Sequence, residues 1–93
     1  MIHVRYLRSF DNSFFDLPQK EKEYAKRAVS RLLDYFAGGP KPLGLGLRKL
    51  RGNYWEIRAS IDKRILFLLK NDAATFVIAG NHDDIRRYIS RFA

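Results

Sequence analysis

A chain of 93 residues, 46% apolar and 14% aromatic, supports one domain over residues 1–93 with a single thin core. Cysteine is absent, which excludes disulfides and thiolate metal sites, and no apolar run approaches the roughly 20 residues needed to span a bilayer. The formal charge of +8 points to an anionic partner rather than a membrane-embedded role.

From the N-terminus, residues 2–8 alternate apolar and polar with period two, which predicts a first strand. The stretch has no apolar signal-peptide core, so a cytoplasmic location is expected. Residues 11–18 predict a turn or short helix, and Pro18 suits the first turn of a long helix. In that helix Ala25, Ala28, Val29, Leu32, Leu33 and Phe36 recur at three- and four-residue steps as one apolar stripe. Gly38, Gly39 and Pro40 end it, and a loop follows.

Three strands come next. With Gly52-Asn53 as a two-residue turn, Arg51 lies opposite Tyr54, Leu50 opposite Trp55 and Lys49 opposite Glu56. Leu50, Trp55, Ile57 and Ala59 then share one face; Lys49, Arg51, Tyr54, Glu56 and Arg58 share the other. For Ile65, Phe67 and Leu69 to join the apolar face, the next loop must hold an odd number of residues. The simplest choice, Ile61-Asp62-Lys63, pairs Arg58 with Leu66 and brings Arg64 onto the face of Arg58. Asn71, Asp72 and Ala73 turn the chain into a last strand, where Phe76 and Ile78 can meet Phe67 and Ile65. A short C-terminal helix begins at Asn81. The fold class is therefore α+β: a twisted, mainly antiparallel sheet of about four to five strands, with the earlier helices packed on its apolar face.

The charge is uneven. Residues 48–70 hold seven Lys and Arg against Glu56 and Asp62. Like charges side by side on a strand face cost energy unless an anion neutralises them, so the face carrying Arg58 and Arg64 is expected to bind an anion. An acidic, partly disordered protein segment suits such a face. His3, in the first strand, is read as structural. Two scattered histidines do not make a metal centre, and no cofactor is expected.

Residues 47–67, LRKLRGNYWEIRASIDKRILF, resemble the central hairpins of the RelE/ParE superfamily of toxin–antitoxin toxins. The carriers are Leu50-Arg51-Gly52 leading into Trp55-Glu56-Ile57-Arg58, then Arg64-Ile65-Leu66-Phe67, with a helical region before and a short segment after. The resemblance implies a cognate antitoxin and one of two activities. RelE-like members cut messenger RNA, typically in the ribosomal A site and without a metal; ParE-like members inhibit DNA gyrase. A basic RNA-binding module without cleavage is a third possibility. His82 and Asp83 after the last strand look like the nuclease branch.

For that branch the resemblance implies His82, Tyr88 and Arg64 as catalytic residues, with Lys49 and Arg51 matching more loosely; the chemistry of cleavage adds Asp83 and Arg58, and the charged face adds Tyr54 as a substrate contact. Cleavage by the ribose 2′-OH needs an acid for the leaving 5′-oxygen and cations for charge developing on phosphate. Histidine suits the first task and arginine the second. His82 is the expected acid, oriented by Asp83 or Asp84. Arg58 and Arg64 are the expected phosphate clamp. Lys49, Arg51 or Glu56 is expected to help activate the nucleophile, and Tyr54 to stack on a base. Asp83 and Asp84 also suit the first turn of a helix for electrostatic reasons alone.

Overall fold

The computed structural model describes residues 2–93. Its elements are β1 (His3–Tyr6), α1 (Arg8–Phe15), α2 (Gln19–Phe36), β2 (Arg48–Arg51), β3 (Tyr54–Arg58), β4 (Arg64–Lys70), β5 (Ala73–Gly80) and α3 (His82–Phe92). The strands form one five-stranded sheet in the order β1-β5-β4-β3-β2. Only β1 runs parallel to its neighbour, because the α1–α2 segment separates it from the antiparallel meander of the other four. The expected α+β architecture is present, with Arg8 starting α1 rather than ending β1, and Pro18 as N-cap of α2.

Both sheet faces are covered. The α2 stripe places Ala25, Val29 and Leu32 against Ile57, Ile65, Phe67 and Phe76, with Phe10 of α1 in the same core. On the opposite face Ile85 of α3 packs against Leu66 and Val77. β4 therefore reads as a continuous apolar run, since its odd and even residues are buried on different sides. Burying side chains the size of Leu66 or Phe67 contributes about 1.5–3 kcal/mol each. No described helix is long and apolar enough to cross a membrane.

Turn chemistry sets the registers. Asn71 and Asp72 take φ of +52° and +59° between β4 and β5, the double left-handed conformation of a type I′ turn. Gly52 takes φ +56° between β2 and β3 and lets Arg51 pair with Tyr54 as expected. Beyond that pair a bulge intervenes. Lys49 lies opposite Trp55 and Arg48 opposite Glu56, so Leu50 is the extra residue and turns to the α3 core. The predicted pairs Leu50–Trp55 and Lys49–Glu56 do not form.

Arg58 pairs with Arg64 rather than with Leu66, which opposes Glu56. The connecting loop runs from Ala59 to Lys63 and is closed by the Ala59 and Ser60 N–H groups on the Lys63 carbonyl, at 2.9 and 3.1 Å. Five residues keep the odd parity, so Arg58 and Arg64 share a face opposite Trp55 and Phe67. A second bulge, at Val77, aligns Phe76 with Phe67 as expected but moves Ile78 opposite Leu66. Ile78 therefore packs on the α3 side, not against Ile65.

Candidate functional site

The start of α3 is held tightly. The Asn81 side chain accepts from the Asp84 N–H at 2.8 Å, and Asp84 Oδ2 accepts from the Asn81 N–H at 2.9 Å, a reciprocal capping box. Gly80 makes room for it: a Cβ there would come within 2.6 Å of Asp84 Oδ2 and 2.8 Å of its Cβ. Asp84 Oδ1 also accepts from Arg87. Both oxygens of Asp84 are thus committed to the helix, which leaves Asp83 as the carboxylate beside His82.

His82 is the first helical residue and is exposed. It opens, with Asp83 and Arg86, onto a cleft of about 940 Å³ between α3 and the β2–β3 edge. Arg48, Leu50, Arg51 and Glu56 line the sheet side, and Arg87 and Arg91 complete the helix side. Five arginines face two carboxylates there, so the cleft attracts anions.

Glu56 lies at the base of this cleft, 2% exposed, the one buried charged residue among those described. Its Oε2 accepts from Arg64 Nη1 at 2.7 Å and contacts Arg48 Nη2 at 3.2 Å. A buried carboxylate needs such partners to offset its desolvation. It ties β2, β3 and β4 together and holds the half-exposed Arg48 guanidinium toward the cleft. Arg51 reaches the Ala93 carbonyl at 3.5 Å.

Several candidates lie elsewhere. Arg64 is turned onto Glu56 and does not line the cleft, which argues for an anchor rather than half of a phosphate clamp. Arg58, at the end of β3, also lies outside the cleft lining and borders a small groove beside α2. The β2 bulge puts Lys49 on the face of Trp55, away from Arg48 and Glu56. Glu56 is too enclosed to reach a substrate hydroxyl.

Tyr54 and Tyr88 pack edge to face at 6.2 Å, and Tyr88 lies 4.6 Å from the Phe92 ring. Tyr54 is thus part of the α3 packing rather than a free platform for a base. Tyr88 faces a different concavity from His82, with Ser13, Ile78 and Gly80. Burial pushes its phenol above the ordinary value, and the neighbouring Tyr54 adds to the shift. A neutral, packed tyrosine of this kind supports structure. Tyr88→Phe is expected to leave stability near wild type, whereas Tyr88→Ala should cost about 3 kcal/mol through lost packing. Urea unfolding checks the pair.

Sequence reasoning missed Arg48 and Arg86. Arg86 lies one helical turn after His82, a spacing that puts two side chains on one face, so it was readable. Arg48 was hidden by the bulge at Leu50.

No protein-family model matches the chain, and no curated protein matches it by sequence. Solved structures do match in fold. A variant of YafQ from E. coli superposes with a TM-score of 0.72 at 16% identity, over 91% of this chain and 98% of that one. YafQ in the E. coli DinJ–YafQ complex gives 0.69 at 16% identity over the full length of both chains. The RelB–RelE antitoxin–toxin complex from Methanococcus jannaschii gives 0.65 at 21% identity, over 91% of this chain and 98% of that chain. The chain has the fold of these toxins.

Proposed function

We propose that the chain is the toxin of a type II toxin–antitoxin pair and an endoribonuclease that cuts messenger RNA on the ribosome, in the cytoplasm, without a metal. The observation that carries the reading is an exposed histidine at the mouth of an arginine-lined cleft. The fold shared with YafQ and RelE supports it, RelB–RelE and DinJ–YafQ both being toxin–antitoxin complexes.

In the proposed reaction Arg51 and Arg86 hold the scissile phosphate and stabilise negative charge as the ribose 2′-oxygen attacks phosphorus. Arg48, steered by Glu56, supports them. The 2′-OH proton passes to water as the new P–O bond forms. His82 protonates the departing 5′-oxygen as the P–O5′ bond breaks, leaving a 2′,3′-cyclic phosphate and a 5′-OH. Asp83 orients the imidazole. Arg64 and Glu56 act behind the cleft as its scaffold. The partner that silences the toxin is an acidic, partly disordered antitoxin segment covering the cleft.

Mapping transcript 5′ ends after induction tests the activity. New 5′-OH ends inside translated codons, with translation falling, are expected. Intact transcripts accompanied by DNA damage would favour inhibition of gyrase instead.

A further inference from the structure

We propose that the groove bordered by Arg27, Arg31 and Arg58 is a second RNA-phosphate site, separate from the His82 cleft; the inference rests on the reading of the chain as an RNA-directed toxin. The groove, about 160 Å³, lies where α2 meets the end of β3 and the loop before β2. It shares no lining residue with the cleft.

Arg27 and Arg31 stand one turn apart on α2, a spacing at which like charges repel. Arg58 lines the groove from the end of β3, and no carboxylate is among its lining residues. Of the α2 acids, Glu21 pairs with Lys63 at 3.5 Å and accepts from the groove residue Ser60 at 3.4 Å, and Glu23 pairs with Lys26 at 3.7 Å.

The walls are built rather than loose. Arg31 Nη2 donates to the Leu43 carbonyl at 2.8 Å, and the Arg58 N–H donates to the Leu45 carbonyl at 2.7 Å. Between them the loop turns through Gly44 and Gly46, at φ +76° and +67°, conformations that favour glycine. A Cβ on Gly46 would lie 3.2 Å from the Arg58 Cβ, so the loop runs close against that arginine. Arginines brought together in a lining that holds no carboxylate suit an oxyanion, and the planar guanidinium fork matches phosphate. In a chain of net charge +8 directed at RNA, a backbone phosphate outside the cut codon is the fitting occupant.

The test is a salt titration of binding to a fluorescent RNA hairpin, with Arg27→Ala, Arg27→Ala/Arg31→Ala and a charge-matched control, Lys20→Ala/Lys41→Ala. Each lost phosphate contact should lower the log–log slope by about 0.7–0.9, so about 1.5 for the groove pair. The control pair should stay near wild type. Arg31 also holds the Leu43 carbonyl, so the single Arg27→Ala variant reads the groove with that bond intact. Equal slopes for groove and control pairs, or no binding of the hairpin by wild type, would overturn the proposal. So would groove variants that keep the RNA slope but lose an acidic antitoxin peptide. A groove-dependent slope in a protein that cuts no message would sustain the groove and sink the cleavage reading. Cleavage with a slope indifferent to Arg27 and Arg31 would do the reverse.

Discussion

Glu56→Ala is expected to lower the unfolding free energy by about 3–5 kcal/mol, the loss typical when one partner of a buried ion pair is removed. Against a total of about 5–15 kcal/mol for a small domain, that is enough to unfold much of the population under mild stress. The cause is local. Glu56 is 2% exposed and its Oε2 lies 2.7 Å from Arg64 Nη1 and 3.2 Å from Arg48 Nη2. Without it two guanidiniums face each other across a strand with no counter-charge. The half-exposed Arg48 can turn to water, which puts the loss toward the lower end; Arg64 is more enclosed. Arg64→Ala should also destabilise, because it strips the buried carboxylate of its shorter contact. Replacing both, as Glu56→Leu with Arg64→Met, should recover most of the stability. It should not recover cleavage, since Arg48 has lost the group that aims it. Urea midpoints and cleavage rates on the same variants separate scaffold from chemistry. A Glu56→Ala protein as stable as wild type would contradict the account of the cleft floor.

Much of this was legible in the sequence because it depends on period and parity. The α2 stripe from Ala25 to Phe36 and the alternation of Ile65, Phe67 and Leu69 determine which face each element buries. The need for an odd loop between β3 and β4 put Arg58 and Arg64 on one face even though the loop proved longer than the shortest choice. What was lost turned on single inserted residues. Leu50 bulges because its apolar side chain joins the α3 core while Arg48 reaches back to Glu56. That one residue moved Lys49 out of the candidate site and Arg48 into it. The apolar sheet face was evident, but the second core under α3 was not. Tyr54 therefore reads as a platform for a base and Tyr88 as a catalytic residue, whereas in the fold their rings pack on each other. Counting charges on a face also could not reveal that Arg64 is occupied by Glu56, which requires the cross-strand distance.

His82→Ala is expected to slow cleavage by roughly 10²–10⁴-fold, the usual contribution of a positioned general acid. His82 is exposed at the first position of α3, and the cap beneath it is made by Asn81 and Asp84 without its side chain. The variant should fold as wild type does, so the loss should fall on the chemical step. Asp83→Asn should give a smaller loss and Asp84→Asn mainly a weaker helix start, because Asp84 is spent on the cap and on Arg87. The most direct measurement is the single-turnover cleavage rate of wild type and His82→Ala on ribosomes carrying a defined message, with ribosome affinity measured in parallel. A rate lower by two to four orders of magnitude at near-equal affinity is the predicted result, in line with roughly 10²–10⁴-fold for a lost acid. An unchanged rate in His82→Ala would contradict the account and leave this histidine as an ordinary residue at the start of a helix.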